Sequence, residues 1–237
     1  MSFEQRVAVI TGATGGLGRV VARDWAKEGV RLALIGTHLD RLTALAEGIG
    51  APTERVAVVE ADLTQAETAR RAAQTVLQRF GRVDMLLHFV GGWAGGKAVV
   101  DVEASVLEDM VNQHLWSTFH TVQAFVPALI SNGWGRIVVI SSPSAQTPPA
   151  RGLPYSAGKA AQEALIATLA EELKDTGVTA NVLRVKSIDV RHEREQAPSA
   201  KNASWTTPEE IAATLRHLCT DEAGVINGAR LPLYGAP

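Results

Sequence analysis

Short apolar runs alternate with longer amphipathic segments along the whole chain, and this alternation restricts the possible folds more than any other feature. Most of the runs are rich in Val, Ile and Leu with little polar alternation, as in parallel strands whose sheet is covered on both faces. The predicted strands are Val7–Thr11, Arg31–Ile35, Val56–Glu60, Val83–Phe89, Arg136–Ser141, Thr179–Val185 and Ala229–Leu233. This order predicts an α/β protein: a doubly wound seven-stranded parallel sheet with helices on both faces, in a single domain over residues 1–237.

The segments between these runs have the periodicity of helices. The predicted helices are Leu17–Glu28, Leu39–Ile49, Gln65–Phe80, Val102–Ile130, Tyr155–Asp175 and Pro208–Thr220. Pro154 and Pro208 stand where two of them begin, a position that favours proline because its missing N–H has no helical acceptor there. The segment Arg191–Ser204 lacks periodicity, so we expect an irregular surface loop, either beside the site or as a solvated connection.

The charge balance argues against several kinds of partner. The chain has 23 Lys and Arg against 25 Asp and Glu, a formal net charge of −2, which offers no broad attraction to nucleic acid or to an anionic membrane. No run approaches the roughly 20 apolar residues of a membrane-spanning helix. The first residues pass directly into an apolar run and leave no room for a signal peptide, so we expect a cytoplasmic protein. The single cysteine, Cys219, cannot form an internal disulfide, and no metal site is predicted.

A glycine-rich segment, Thr11–Gly18 with the sequence TGATGGLG, joins the first predicted strand to the first predicted helix. Glycines permit a tight turn and let backbone N–H groups approach a phosphate. The helix N-terminus adds a partial positive charge at the same place. A strand, this loop and a helix in succession therefore predict a dinucleotide site.

The end of the second predicted strand bears on which dinucleotide binds. NAD enzymes of the doubly wound type place Asp or Glu there to hold the ribose hydroxyls. This chain has Ile35-Gly36-Thr37-His38 instead, with Arg41 one helical turn further on. Because no acid is present to repel a 2′-phosphate, we expect NADP(H) to be favoured over NAD(H).

Tyr155 and Lys159 stand at positions i and i+4 of a predicted helix and therefore share a face. A free tyrosine has a pKa of about 10, and a nearby ammonium should lower that pKa. Such a phenol can give a proton to a forming alkoxide or take one from an alcohol. Ser142, at the end of the fifth predicted strand, can hydrogen-bond the reacting carbonyl oxygen. These three side chains predict catalysis between a carbonyl and an alcohol.

With these motifs the chain resembles the short-chain dehydrogenase/reductase family over essentially its whole length. The matching features are TGxxxGxG in the glycine loop, Asp62 after the third strand, Ser142 with Tyr-x-x-x-Lys, and Asn181 in the sixth strand. The resemblance implies a Rossmann fold, Tyr155 as acid and base, Lys159 also as a ligand of the nicotinamide ribose, and Ser142 as a residue that positions the substrate. The cofactor-binding residues that it implies are Gly12, Thr14, Gly16, Leu17, Gly18, Thr37, His38, Asp62, Leu63, Val90, Gly91, Tyr155, Lys159 and Ile188.

Three positions depart from the family pattern. The family's Asn-Asn-Ala-Gly after the fourth strand is His88-Phe89-Val90-Gly91 here. The helix asparagine that anchors a proton-relay water aligns with His114, whose imidazole can hold a water or relay a proton, or can simply pack between helices. The family's Pro-Gly after the sixth strand is Val185-Lys186.

Trp93 lies in a glycine-rich stretch, Gly91–Gly96, that follows the fourth strand. Its indole can stack on a planar substrate or cap the loop. The stretch also resembles the corresponding segment of quinonoid dihydropteridine reductases, another group of the family, although Ser142 and the missing acid after the second strand argue against that group.

Three hypotheses follow for the function. The first is an NADP(H)-dependent carbonyl reductase similar to 3-oxoacyl-carrier-protein reductases, acting on a small-molecule carbonyl or alcohol. The second is a dihydropteridine-type reductase, and the third is a catalytically silent NAD(P)-binding regulator. The family resemblance also implies a homodimer or homotetramer formed through the two long predicted helices, Val102–Ile130 and Tyr155–Asp175.

Overall fold

The computed structural model describes residues 3–234, and all seven predicted strands belong to one sheet. The strands are β1 (Val7–Thr11), β2 (Arg31–Gly36), β3 (Val56–Glu60), β4 (Met85–His88), β5 (Gly135–Ser141), β6 (Val178–Val185) and β7 (Arg230–Leu233). Their spatial order is β3-β2-β1-β4-β5-β6-β7, and every neighbouring pair is parallel. The prediction of a doubly wound, single-domain Rossmann fold is confirmed; residues 1, 2 and 235–237 of the predicted domain lie outside the described residues.

Helices cover both faces of this sheet. They are α1 (Gly16–Lys27), α2 (Leu39–Ile49), α3 (Ala66–Phe80), α4 (Ala104–Val111), α5 (Ser117–Ser131), α6 (Leu153–Glu172), α7 (Glu193–Gln196) and α8 (Pro208–Leu218). One core packs α1, α2 and α8 against the sheet, and the other packs α3, α5 and α6 against the opposite face. Strands between two such layers have no polar face, which is why β1 is buried at every position.

The prediction of one long helix over Val102–Ile130 is wrong in one respect, because this segment is not a continuous α-helix. A π-helical turn, Asn112–Trp116, separates α4 from α5. Such a turn inserts one extra residue into the helical ladder and rotates the side chains around it. The segment begins at Ala104, after a short 3₁₀ turn at Val99–Asp101.

Two smaller predictions also differ from the structure. The predicted strand Val83–Phe89 shortens to β4, because Phe89 already leaves the ladder that pairs β4 with β1. The predicted loop Arg191–Ser204 contains α7, a single turn whose first N–H groups donate to the Asp189 carboxylate. Asp189 therefore holds this loop beside the carboxyl edge of the sheet.

The order of the strands reverses between β1 and β4. In doubly wound folds ligands bind in the crevice outside the carboxyl ends of the strands at such a point. The loops that follow β1, β4, β5 and β6 meet there, so the fold brings together residues that are far apart in the chain.

Candidate active site

A cleft of about 280 Å³ lies at the carboxyl ends of β1 and β4. Eleven of the predicted site residues line it: Gly12, Gly16, Leu17, Gly18, Val90, Gly91, Trp93, His114, Tyr155, Lys159 and Ile188. Gly15, Phe89, Gly92 and Ile140 complete the lining. The glycine loop and the Tyr155–Lys159 pair, more than 130 positions apart in the sequence, therefore face one space.

The remaining predicted residues lie around this cleft rather than in its lining. Thr37 and His38 are exposed after β2, while Asp62 is exposed after β3 and accepts hydrogen bonds from the backbone and hydroxyl of Thr64. Leu63 is buried in the core below, and Thr14 is half-buried in the glycine loop. Their predicted contacts with the adenosine half of a cofactor stay predictions.

The glycine loop needs its glycines for close packing. Gly12 has φ +63°, and a Cβ there would lie 3.1 Å from the Phe89 carbonyl carbon and oxygen. A Cβ on Gly18 would lie 2.6 Å from the Gly12 carbonyl oxygen, a distance that only displacement of the backbone could relieve. No side chain caps the N-terminus of α1, so its first N–H groups are left for an anion in the cleft.

Lys159 is buried beneath the cleft. Its Nζ donates to the Ile140 carbonyl oxygen at 2.6 Å and to Gln162 Oε1 at 3.0 Å. Burial lowers the pKa of Lys159 to about 7, although the negative charge of Glu163 opposes that shift. Two of the three ammonium hydrogens are thus used by the protein, and one is left to point at a ligand.

Tyr155 is largely buried, and burial raises the pKa of its phenol, while a hydrogen bond from the Ser142 side chain acts in the opposite direction. The expected lowering of this pKa by Lys159 is not found, because burial dominates and the Lys159 ammonium is directed at Ile140 and Gln162. Ser142 directly follows β5, and its Oγ also accepts a hydrogen bond from the Ser144 backbone N–H at 3.2 Å. The structure therefore brings the three predicted catalytic side chains together, with the phenol in its protonated form.

His114 lies in the π-helical turn and is fully buried. Its Nε2–H donates to the Gly92 carbonyl oxygen at 3.1 Å, so Nδ1 is the unprotonated nitrogen of the neutral ring. Burial lowers the pKa of His114 to about 3, and the Lys159 charge adds to the shift. The ring meets the Tyr155 ring edge-on with centroids 5.4 Å apart.

The unprotonated nitrogen of His114 lies on the same side of the ring as the Lys159 ammonium. Nδ1 is buried and has no hydrogen-bond partner among residues 3–234. A Cβ on Gly91 would lie 2.9 Å from this atom and 3.7 Å from Lys159 Nζ, so both nitrogens converge on Gly91. His114 therefore presents a hydrogen-bond acceptor at the base of the cleft.

His88 has a role that the sequence did not reveal. The Thr11 hydroxyl donates to His88 Nδ1 at 2.9 Å, and His88 Nε2–H donates to the Ser117 hydroxyl at 3.3 Å. The Ser117 hydroxyl in turn donates to the Gln113 carbonyl. Burial lowers the pKa of His88 to about 3, so the ring is neutral. His88 therefore ties β1, β4 and the π-helical turn together.

Gln162 is a second residue that sequence reasoning missed. Thr118 donates its hydroxyl hydrogen to the His114 carbonyl oxygen at 2.6 Å, and its oxygen accepts from Gln162 Nε2 at 2.8 Å. This arrangement leaves Gln162 Oε1 facing Lys159, as its 3.0 Å contact requires. The signal in the sequence was the spacing, because Gln162 follows Lys159 by three positions on α6 and so lies beside it.

Two further observations concern the part of the chain that the structure describes. Within it, no group of three or more His, Cys, Asp or Glu side chains is arranged to hold a metal ion. Likewise, none of the helices between residues 3 and 234 combines the length and apolar character needed to cross a bilayer.

Comparison with known proteins agrees with this fold. The family model for short chain dehydrogenases matches residues 6–200. A 1,6-dihydroxycyclohexa-2,4-diene-1-carboxylate dehydrogenase of Pseudomonas putida is 32% identical, over 98% of this chain and 93% of its own. An acetoacetyl-CoA reductase of Allochromatium vinosum is 27% identical over 97% of each chain.

The same likeness holds among solved structures. A crystal structure of a short chain dehydrogenase from Bacillus anthracis superimposes with a TM-score of 0.88 at 26% identity, covering 99% of this chain and 97% of the other. The matched family model spans most of the sequence, and the fold agrees with it from end to end. The chain therefore belongs to the short-chain dehydrogenase family.

Proposed function

We propose that this family member interconverts a carbonyl and an alcohol by hydride transfer, with NADP(H) as the favoured cofactor. The observation that carries the proposal is the meeting of Tyr155, Ser142 and Lys159 beside a cleft that the glycine loop also lines. A dinucleotide site and a proton-transfer site are thus adjacent, as hydride transfer requires. The resemblance to 3-oxoacyl-carrier-protein reductases rather than to dihydropteridine reductases is part of this proposal.

The residues of the cleft fit a nicotinamide dinucleotide. Side chains at Gly12 or Gly18 would collide with backbone, and a Cβ at Gly16 would lie 2.4 Å from Val190, so the loop is kept open by its glycines. The uncapped N-terminus of α1 suits a pyrophosphate. Lys159 would hold the nicotinamide ribose with its remaining ammonium hydrogen. When bound, the nicotinamide supplies or accepts the hydride.

The side chains around the cleft then carry out the proton transfer. Because burial raises the pKa of Tyr155, its phenol stays protonated and can donate to the oxygen that becomes an alcohol. The Ser142 hydroxyl hydrogen-bonds the same oxygen and stabilises its developing charge. A phenolate remains on Tyr155 after this transfer. The neutral His114, with Nδ1 free, can accept a hydrogen bond from a water that returns the proton.

The preference for NADP(H) rests on the surface around the end of β2. Thr37 and His38 are exposed there, and Arg41 lies in the first turn of α2. Arg41 shares a cavity between α1 and α2 with Arg19 and Arg23, and no acid lines it. Against this stands the Glu60 carboxylate, which accepts a hydrogen bond from the Leu39 N–H at 3.2 Å. The three guanidinium groups can pair with a 2′-phosphate, whereas the single carboxylate is already hydrogen-bonded to backbone. The surface therefore favours NADP(H) over NAD(H).

The experiment that tests the proposal is the substitution Tyr155→Phe. Removal of one hydroxyl should reduce carbonyl reduction by at least about a thousandfold, because the proton donor is lost while the ring still packs. NADPH affinity should change little and should exceed NADH affinity in both forms of the protein, measured by fluorescence titration. Unaltered turnover in the variant would refute the mechanism, and tighter NADH binding would refute the cofactor preference.

The two other hypotheses are less well supported. The relatives described above are named for dehydrogenase and reductase activities on other substrates, and they favour neither a pterin reductase nor a silent regulator. The assembled Tyr155, Lys159 and Ser142 also argue against a site that has lost catalysis. We therefore propose a small-molecule carbonyl or alcohol as the substrate, with no nucleic acid as partner, for an enzyme of the cytoplasm that forms a homo-oligomer.

A further inference from the structure

A second, smaller cavity of about 180 Å³ adjoins the catalytic cleft. Its apolar walls come from Trp93, Val102, Val106 and Pro154. The cavity lies between the loop after β4, the start of α4 and the start of α6.

Two residues connect this cavity to the reacting groups. Trp93 lines both spaces, so its indole forms the wall between them. Pro154 directly precedes Tyr155 on α6. A molecule whose carbonyl reaches the Tyr155 phenol can therefore place a neighbouring substituent in the side cavity.

The position of the Trp93 wall is set by the backbone around it. A Cβ on Gly95 would lie 3.0 Å from the Trp93 ring, so glycine is what allows the ring to lie against the loop. The neighbouring Gly96 N–H donates to the Arg151 carbonyl oxygen at 2.8 Å and ties this loop to the one that precedes α6. Yet 70% of the Trp93 side chain is exposed, an unusual amount for a large aromatic residue that nothing covers.

The size and chemistry of the cavity select its occupant. An apolar cavity of about 150 Å³ is enough to bind benzene, so about 180 Å³ accommodates one six-membered ring. A rigid ring also loses less conformational freedom on binding than a flexible chain of the same carbon number. The indole offers a flat surface for such a ring.

The rim of the cavity has no net charge. Lys97 and Glu103 face each other there, with Nζ and Oε1 2.7 Å apart, and each is more than half exposed. Because the two charges neutralise each other, the rim does not attract an ionised substituent, and the ring is expected to be uncharged.

We propose that the cavity walled by Trp93, Val102, Val106 and Pro154 is a substrate subsite for an uncharged six-membered carbocyclic ring attached to the reacting carbonyl or alcohol carbon. The inference rests on the proposed function, which it narrows from carbonyl compounds in general to cyclic ones. A linear 3-oxoacyl chain would leave this subsite unfilled, so the inference keeps the reaction of the proposed function but not its likeness to 3-oxoacyl-carrier-protein reductases.

A matched pair of ketones tests the subsite. Cyclohexyl methyl ketone and 2-octanone have the same number of carbons and the same methyl ketone, and they differ in having a ring or a chain. We expect kcat/KM with NADPH to favour the cyclic ketone by about tenfold or more. Dissociation constants of both ketones for the enzyme saturated with NADP⁺, measured by ligand-observed NMR, should show the same preference without any turnover.

Variants that fill the cavity test whether the preference for the cyclic ketone depends on it. Val106→Phe should remove the preference for the ring, with Val102→Phe as a second filling variant in case the first is unstable. Val100→Phe is the matched control, since Val100 is 91% exposed, precedes the same helix and does not line the cavity. The control should keep the full preference.

The outcomes separate the subsite from the reaction. Equal affinity for both ketones, or a ring preference that survives both filling variants, overturns the subsite even if reduction is fast. Ring-selective binding that Val106→Phe abolishes upholds the subsite even if no ketone is reduced, in which case the proposed function fails instead.

Discussion

Two buried histidines, His88 and His114, remain neutral in the folded protein although a histidine ordinarily titrates near pH 6.5. Burial lowers both pKa values to about 3. The unfolded chain therefore binds protons at a higher pH than the folded chain does, and stability must fall as the pH drops from 6.5 towards 3. We predict a loss of about 1.4 kcal/mol per pH unit for each histidine in this window, measured by urea unfolding at pH 7, 6 and 5.

The substitution His88→Asn provides the control for this prediction. Asparagine does not titrate, yet its amide can still accept from Thr11 and donate towards Ser117. The variant should therefore fold and should lose about half of the pH dependence between pH 6.5 and 5. The same slope in native protein and variant would show that His88 is protonated when folded and would contradict its buried, neutral state.

Lys159 is held between two opposing influences on its charge. Burial lowers its pKa to about 7, and the nearby Glu163 carboxylate raises it. Glu163 is itself ionised, since hydrogen bonds from Arg184 and Ser141 outweigh the effect of its burial on its pKa. Its negative charge is therefore available to keep the Lys159 ammonium protonated near neutral pH.

The substitution Glu163→Gln should displace the pH profile of carbonyl reduction. A neutral side chain no longer supports the ammonium, so the pH at which kcat/KM falls should decrease from about 7 by about one unit. The lost ion pair with Arg184 should also cost about 3 kcal/mol of stability. Glu171→Gln, on the exposed far end of α6, is the control and should leave the profile unchanged. An unchanged pH profile would show that the Glu163 charge does not influence the protonation of Lys159.

At the scale of elements, the strands were predictable and the break in one helix was not. β1 and β3 have the predicted bounds because short runs rich in Val, Ile and Ala are typical of strands, although β1 is buried throughout and β3 only in part. The π-helical turn at Asn112–Trp116 has no signal in composition, since its residues are as compatible with an α-helix. What favours the turn is tertiary: it places His88 and Gly92 within reach of Ser117 and His114.

In the candidate site too, local features were predictable from the sequence, and features that depend on residues distant in the chain were not. The glycine loop and the Tyr155–Lys159 spacing are local patterns, so the sequence predicted them. The pKa of Tyr155 was mispredicted because its burial depends on residues distant in the chain. The contact of Gln162 with Thr118 links two helices 44 positions apart, which no single-sequence pattern records.

The packing of α6 against the π-helical turn depends on one glycine. A Cβ on Gly158 would lie 2.7 Å from the Met110 carbonyl oxygen and 3.0 Å from His114 Cδ2. Gly158→Ala should therefore push the two segments apart, cost about 1–3 kcal/mol of stability and lower kcat by about tenfold or more through the displaced His114. Urea unfolding and steady-state kinetics would measure the two effects.

A matched substitution separates this effect from helix propensity. Gly48 lies in α2, and a Cβ there would meet nothing within 4 Å. Gly48→Ala should therefore stabilise the protein by about 0.5–1 kcal/mol and leave kcat alone. If both alanine variants had the same stability and the same kcat, the close packing at Gly158 would not control the position of His114.

On the scale of the whole molecule, an apolar surface is left uncovered by residues 3–234. A groove of about 440 Å³ runs between α5 and α6, and its apolar walls include Phe119, Val126, Leu165 and Leu169. One of these helices, α6, also carries Tyr155 and Lys159 near its start. Because both helices line the groove, a second copy could cover it with the same two helices by a twofold rotation.

We predict that the protein is a homodimer or homotetramer that uses this surface. Leu169→Glu places a charge in the groove and should convert the assembly to monomers, as measured by light scattering coupled to size-exclusion chromatography. Leu39→Glu introduces the same charge at a leucine that is 50% exposed on α2 and lies outside the groove, and it should leave the assembly intact. A monomeric native protein would contradict the prediction. Dissociation by the α2 variant would place the interface elsewhere. If Leu169→Glu monomers also lose activity while remaining folded, then α6, which carries Tyr155 and Lys159, is held in position by the partner subunit.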